Sequence, residues 1–226
     1  MKRVITALLA ALLVLSLAAC GSGVETKKLA GTWTCTIDVT DRMNAAAEQA
    51  LGLSAADGTA QMPLQLVLTV TEDGAYTLRY DSDAARTALD AYAAALRPAA
   101  VESVYAAAEE QGLSREEYDA AMEKAGITMD DMVAAIFAGV DEEELLSLLT
   151  GRSAALTGYC RAEGGQLYLA DTAADLTETA DCLSYTLSDG TMTWTDAQGE
   201  LSSQLTEQEQ ELLRVPLTWT KQEESK

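Results

Sequence analysis

The chain contains no histidine among its 226 residues, and this limits the chemistry that its side chains can perform. A serine or cysteine nucleophile is commonly activated by a neighbouring histidine, so the usual nucleophilic pairs are missing. The acidic residues could supply a carboxylate pair for glycoside cleavage, but that chemistry depends on a separation in space that no sequence spacing here indicates. We therefore expect a protein that is not an enzyme and that needs no cofactor.

Cys20 is the cysteine whose surroundings indicate a definite chemical role. It follows a basic start at Lys2 and Arg3, an apolar run over residues 4–17 and a pair of small residues, which is the layout of a cleaved export signal. The ending resembles the bacterial lipobox, in which the cysteine is acylated and becomes the new N-terminus. This predicts lipid attachment at Cys20, a lipoprotein signal peptide over residues 1–19 and a tether over residues 20–28. An ordinary secretory signal with an incidental cysteine is the alternative.

The signal and the charge together predict the location of the protein. The formal net charge is -21, and such a surface repels nucleic acid and anionic lipid headgroups. We therefore expect no nucleic-acid partner, and we expect N-terminal acyl chains rather than electrostatic attraction to hold the protein at the membrane. The predicted location is the extracytoplasmic face of a bacterial membrane, in the cell envelope. The sequence indicates no particular protein partner.

Cys35, Cys160 and Cys182 remain after Cys20, which allows at most one internal disulfide. The alternation around Cys160 and Cys182 suggests that these two share a face of the sheet. In a simple meander an intervening strand would hold them about 10 Å apart, which is too far for a disulfide. The sequence favours no bridge but leaves this pair open. The three thiols are too scattered for a zinc site, and histidine ligands are absent.

Two acidic runs, Asp130-Asp131 and 141–144, could be read as calcium ligands. A calcium loop needs oxygen ligands that alternate along the chain with a glycine midway, and neither run has that pattern. Both runs lie where a helix is predicted to begin, and acids there complement the positive end of the helix dipole. We therefore expect helix capping and no metal site.

The aromatic residues are the remaining candidates for a site. Each of the three tryptophans, Trp33, Trp194 and Trp219, lies between two threonines in a strand-like segment. Their parity favours a place in the core, where Trp33 would help close the first strand onto two strands near the C-terminus. In a cavity, the same rings and some tyrosine hydroxyls could instead contact a ligand. The candidate ligand-binding residues are Trp33, Tyr76, Tyr159, Tyr185 and Trp194.

Period-two alternation predicts about eight strands around these residues. Asp73-Gly74 and Asp189-Gly190 separate pairs of alternating segments, a pattern typical of β-hairpins. Gly164-Gly165 predicts a further turn, and Asp41 could cap a helix over residues 41–53. The predicted strands cover residues 29–40, 62–71, 76–81, 156–161, 166–170, 182–188, 191–195 and 215–220.

The alternation changes to a three-four spacing between residues 83 and 151, which predicts several helices. Arg97-Pro98 is expected to end the first of them. Three capping boxes predict later helix starts, and three glycines predict helix ends. These are Ser114 with Glu117, Thr128 with Asp131, Asp141 with Glu144, and then Gly126, Gly139 and Gly151. The expected organisation is a β-framework over residues 29–82 and 152–221, interrupted by a helical insertion over residues 83–151.

The order of several short motifs resembles a known group of proteins. Gly31-Thr32-Trp33 on the first strand, the hairpin at residues 73–76, Gly158-Tyr159 after the helices and the final segment 216–221 are similar to lipocalin-like (calycin-like) lipoproteins of Gram-positive gut bacteria. The resemblance covers most of residues 29–221. It implies an α+β fold, with a mainly antiparallel lipocalin-like β-barrel or β-sandwich of about eight strands and an α-helical insertion. Lipocalins bind small apolar molecules inside the barrel, so it also implies such a ligand.

Two functions are consistent with these features. We expect a membrane-anchored binding module that takes up a small apolar or amphipathic ligand without chemistry, with the helices as a lid or plug. The alternative is a structural or protein-interaction lipoprotein of the cell envelope that has no ligand cavity.

Overall fold

The computed structural model describes residues 25–53, 60–138, 155–178, 180–198 and 213–223. Eight strands form a closed antiparallel barrel in which neighbours along the chain are hydrogen-bonded to each other. This confirms the predicted fold class and shows that the sheet closes into a barrel. The strands are β1 (Gly31–Asp38), β2 (Pro63–Val70), β3 (Ala75–Tyr80), β4 (Leu156–Glu163), β5 (Gln166–Ala170), β6 (Asp181–Ser188), β7 (Thr191–Gln198) and β8 (Leu217–Lys221).

The barrel closes where β1 pairs with β8. Trp33 lies opposite Lys221, and the Lys221 ammonium nitrogen is 5.3 Å from the centroid of the Trp33 ring. The backbone N–H of Gln222 donates a 2.8 Å hydrogen bond to the carbonyl of Thr32. The prediction that Trp33 joins the first strand to the C-terminal part of the chain is thus confirmed.

Both predicted Asp-Gly hairpins are confirmed. Between β6 and β7, Asp189 and Gly190 have φ values of 46° and 76°, the pair of positive angles that a type I′ turn requires. Gly74, with a φ of 87°, lies in the turn between β2 and β3. A side chain at Gly74 would also collide with the backbone, since its Cβ would lie 2.3 Å from the carbonyl oxygen of Cys160.

The inner face of β4 carries small residues and not the candidate ligand-binding residue Tyr159. Gly158, Cys160 and Ala162 are buried, whereas Tyr159 lies on the opposite face and is half-buried. The candidate ligand-binding residue Tyr159 therefore does not point into the barrel. The reason is the paired residue on β3: the ring of Tyr76 lies against Gly158 and fills the space that a large side chain on β4 would need.

The three described cysteines form no disulfide. Cys160 pairs with Leu169 of β5, while Cys182 pairs with Tyr168 of the same strand. Strand β5 therefore separates the two thiols, as the meander argument predicted. The prediction that the two cysteines share a face was wrong, because Leu169 and Tyr168 are consecutive on β5 and point to opposite faces. The expectation of no bridge holds for these residues.

The chain divides into two compact units, one with most of the barrel and one with the described helices. The helical unit also contains residues 36–65, which the sequence interpretation assigned to the β-framework. It has its own apolar cluster, centred on Leu53, Ala100 and Val133. Its helices are α1 (Thr40–Leu51), α2 (Ser82–Glu110), α3 (Arg115–Ala125) and α4 (Met129–Phe137). None of the described helices is both long and apolar enough to cross a membrane.

Two of the predicted capping boxes are confirmed. The side chains of Ser114 and Glu117 cap the start of α3, and those of Thr128 and Asp131 cap the start of α4. Helix α3 ends at Gly126, which has the left-handed conformation expected there. The third capping box, Asp141 with Glu144, and the glycines at 139 and 151 lie outside the described residues.

Two other helix predictions were wrong. Asp41 does not cap α1, because the helix begins one residue earlier and Asp41 falls in its first turn. Pro98 does not end a helix either, since α2 runs through it. A proline there removes one backbone hydrogen bond, but Leu96 and Ala100 on either side are buried. Packing of this apolar face keeps the helix continuous, and such packing supplies most helical stability in proteins.

Adding one methyl group at Gly158 should destabilise the barrel. The new Cβ would lie 2.6 Å from the carbonyl oxygen of Ala170 and 2.9 Å from the ring of Tyr76. We expect Gly158→Ala to lower the free energy of unfolding by roughly 2–3 kcal/mol, measured by chemical denaturation. Thr157→Ala, at the exposed neighbouring position, is the control and should cost less than about 1 kcal/mol. Equal losses in the two variants would contradict the close fit between β3 and β4.

Candidate functional site

An apolar cavity lies inside the barrel. Strands β2 to β7 and the segment before β1 contribute to its wall, which includes Leu29, Leu68, Tyr76, Leu167, Met192 and Trp194. The cavity leaves about 40 Å³ for the centres of water-sized spheres. One water needs about 10–15 Å³ by this measure, so there is room for roughly three waters or one compact group of about four non-hydrogen atoms.

Strand register brings the wall residues of β2 and β3 together. Leu68 is paired with Leu78, and Val70 is paired with Tyr76, so all four side chains point to the same face. All four belong to the cavity wall. Because directly opposed side chains in an antiparallel pair are close neighbours, this ladder forms a continuous apolar surface on one side of the cavity.

A helical turn at residues 25–29 covers one end of the barrel. The hydroxyl of Thr26 accepts a 3.0 Å hydrogen bond from the backbone N–H of Ala162, and the carboxylate of Glu25 accepts one of 2.8 Å from Gly164. Both contacts lie at the β4–β5 hairpin. Leu29, at the end of the turn, is almost fully buried and forms part of the cavity wall. The sequence interpretation placed residues 25–28 in the tether and began the first strand at Leu29, so this turn was missed.

The three tryptophans differ in how their indole N–H groups are paired. Trp33 donates a 2.7 Å hydrogen bond to the carbonyl of Leu29. Trp194 and Trp219 lie with ring centroids 4.9 Å apart and planes tilted by 47°. The indole nitrogens of both are buried and have no hydrogen-bond partner in the described part of the chain. Of the three rings, that of Trp194 lines the cavity.

The structure brings two of the five candidate ligand-binding residues to the cavity. Tyr76 and Trp194 are in its wall. Trp33 and Tyr185 are buried without lining it, and Tyr159 faces the other side of β4. The sequence interpretation missed the aliphatic part of the wall. Alternation in β2 and β7 could have indicated Leu68 and Met192, whereas Leu29 had no signal because its position depends on the N-terminal turn.

Burial raises the pKa of several side chains in the barrel. Desolvation raises the pKa of the Cys160 thiol to about 12. It also raises the pKa of Tyr185, with smaller contributions from the charges of Glu25 and Cys160. Burial likewise raises the pKa of Cys35, against the effect of a backbone hydrogen bond from Thr218. A thiol of such high pKa is a poor nucleophile at neutral pH.

Among the described residues, no three cysteine, aspartate or glutamate side chains are grouped so that they could hold a metal ion. Comparison with models of protein families, with curated proteins and with solved structures gave no match.

Removing the hydroxyl of Thr26 should detach the N-terminal turn from the barrel. Thr26→Val keeps the side-chain shape but leaves the backbone N–H of Ala162 without this acceptor. We expect a loss of about 1–3 kcal/mol in the free energy of unfolding, measured by urea denaturation. Thr26→Ser retains the hydroxyl and is the matched control, with a smaller loss. If Thr26→Val were as stable as the wild type, the hydrogen bond to Ala162 would not hold the turn.

Proposed function

We propose that this chain is a membrane-anchored extracytoplasmic lipoprotein, related to the lipocalin-like lipoproteins, whose barrel binds a small apolar or amphipathic molecule without enzymatic chemistry. The apolar cavity inside the closed barrel is the observation that supports this function most directly. An eight-stranded barrel is about wide enough either to be filled by its side chains or to hold one small ligand.

The size of the cavity limits the ligand and its affinity. A group of four carbons gains roughly 3 kcal/mol when it is fully buried, at about 0.8 kcal/mol per methylene. That gain corresponds to a dissociation constant in roughly the millimolar range. The cavity therefore suits a compact molecule, or one end of a longer molecule whose remaining part makes further contacts.

A structural or protein-interaction role is the second candidate, and two observations favour it. The cavity has room for only about three waters, which is small for a dedicated ligand site. Helix α3 has no buried residue in its described range, and its acidic residues Glu116, Asp119 and Glu123 are exposed. Such a face could meet a basic surface of another envelope component.

Filling the cavity should abolish binding of a small hydrocarbon. We expect isobutene, which has four carbons, to bind the wild-type protein weakly and saturably, with changes in tryptophan fluorescence and in the NMR signal of the Met192 methyl group. Leu68→Phe adds volume to the wall and should remove this response. Leu68→Ala enlarges the cavity and should strengthen it.

Leu66→Phe is the matched control for this experiment. Leu66 is buried two residues earlier on the same face of β2 and does not line the cavity. Overpacking costs about 1–3 kcal/mol at either position, so the two variants should be similarly destabilised. Only Leu68→Phe should lose isobutene binding. Absence of saturable binding in both the wild type and Leu68→Ala would reject the ligand-binding function and favour the structural alternative.

The anchor is tested separately from the cavity. We expect intact-mass analysis of the protein from its native membrane to show acyl chains on Cys20 and no residues before it. Cys20→Ser should release the protein from the membrane fraction, whereas Cys182→Ser should leave it attached. A secreted protein with an unmodified N-terminus would overturn the lipoprotein assignment.

A further inference from the structure

An open groove lies at the end of the barrel that carries the N-terminal turn. Strands β2, β1, β8 and β7 are consecutive neighbours in the sheet, and each supplies an outward-facing threonine to the groove: Thr69, Thr32, Thr220 and Thr191. The turn contributes Lys27 and Ala30 to the same wall. Among the described residues, Val70 is the one that lines both this groove and the apolar cavity. The groove is therefore a second concave surface, next to the point where the chain enters the barrel.

The groove carries side chains of both charges. Two ammonium groups and three carboxylates line it, all of them on exposed residues: Lys27, Lys221, Glu72, Asp189 and Glu223. Neither lysine forms an ion pair with a carboxylate of the described residues, and the Lys221 ammonium lies over the Trp33 ring instead. The threonine hydroxyls can both donate and accept hydrogen bonds. A partner that carries one positive and one negative group complements this set of side chains.

The proposed acyl anchor limits how far this groove can lie from the membrane. Glu25 is five residues beyond Cys20, and an extended chain covers at most about 3.6 Å per residue, so Glu25 lies within about 18 Å of the acylated cysteine. Lys27 follows two residues later, in the turn that lines the groove. The lipid headgroups around the acyl chains are therefore held close to the groove.

We propose that this groove binds the headgroups of zwitterionic phospholipids in the membrane that holds the Cys20 acyl chains. The inference rests on the lipoprotein anchor in the proposed function and is independent of a ligand in the apolar cavity. In the docked state the lysines pair with the lipid phosphate, the carboxylates pair with the lipid ammonium group, and the threonine hydroxyls bond to phosphate oxygens. The groove end of the barrel then faces the membrane.

The tether makes a weak contact sufficient. A short link between a site and its ligand gives an effective concentration in the millimolar range, so a groove contact with a dissociation constant of roughly that size is populated. The acyl chains supply the attachment, and the groove determines the orientation. An anionic headgroup is disfavoured, because the chain has a net charge of -21 and the groove holds three carboxylates against two lysines.

Threonine methyl groups test this contact directly. The mature acylated protein, labelled with carbon-13 in its threonine methyl groups, is placed in nanodiscs of phosphatidylethanolamine and phosphatidylcholine, and signals are assigned from single Thr→Ser variants. We expect nuclear Overhauser contacts between lipid headgroup protons and the methyl groups of Thr191 and Thr220. Thr172 is exposed just after β5, which separates the two ends of the barrel by roughly 14 Å, so its methyl group should show no such contact.

Two neighbouring lysines provide a matched pair of variants. Lys27→Gln removes an ammonium group from the groove and should lower the ratio of docked to undocked protein roughly fivefold, with weaker contacts at Thr191 and Thr220. Lys28→Gln removes an exposed ammonium group of the same turn that does not line the groove, and it should leave the contacts unchanged. Both variants lose one positive charge, so unspecific attraction to lipid would change equally in the two. Replacing phosphatidylethanolamine by anionic phosphatidylglycerol should weaken the contacts.

The outcomes distinguish this inference from the proposed function. If Cys20 is acylated but no headgroup contact reaches Thr191 or Thr220, the groove does not dock and the inference is wrong. Equal losses in Lys27→Gln and Lys28→Gln, or stronger contacts with phosphatidylglycerol, would overturn it as well. If intact-mass analysis shows no acyl chain on Cys20, the lipoprotein assignment fails and this inference fails with it.

Discussion

Pairing of β1 with β8 is the constraint on which the rest of the barrel depends. It removes both free edges of the sheet, so every strand is hydrogen-bonded on both sides and inward side chains have a fixed volume to share. Trp33 and Lys221 stand opposite each other at this seam, with the ammonium group near the ring. A cation beside an aromatic ring adds about 0.5–1 kcal/mol at such a site. The seam therefore joins residues nearly two hundred positions apart in sequence.

The cavity is a consequence of how large and small residues share that volume. Gly158, Cys160 and Ala162 place small side chains on the inner face of β4, and Tyr76 occupies the space over Gly158. Beside Cys160, no side chain fills the space as Tyr76 does over Gly158. Cys160 therefore forms part of the cavity wall. A larger residue in place of Gly158 would collide with Tyr76, whereas a larger residue in place of Cys160 would reduce the cavity itself. The barrel is thus tightly packed where Tyr76 meets Gly158 and contains a cavity beside Cys160.

Regular backbone patterns were the part of the fold that sequence could predict. Alternation located all eight strands to within a few residues, and the Asp-Gly turns located two hairpins, because both signals are local. Three errors came from tertiary contacts instead. The inner face of β4 depends on Tyr76, and the continuity of α2 through Pro98 depends on the buried face of that helix. The covering turn depends on a hydrogen bond that Thr26 accepts from a hairpin more than a hundred residues away.

The candidate site shows the same division between local and distant causes. Trp33 and Trp194 lie in identical Thr-Trp-Thr segments and both face the barrel interior, so local sequence gives them the same expected role. The carbonyl of Leu29 separates them, because it pairs the N–H of Trp33 and thereby makes that residue part of the fold. The indole nitrogen of Trp194 has no hydrogen-bond partner among the described residues, and the residue lines the cavity. A short turn outside the repeated motif therefore determines which of these two indole N–H groups is paired within the fold.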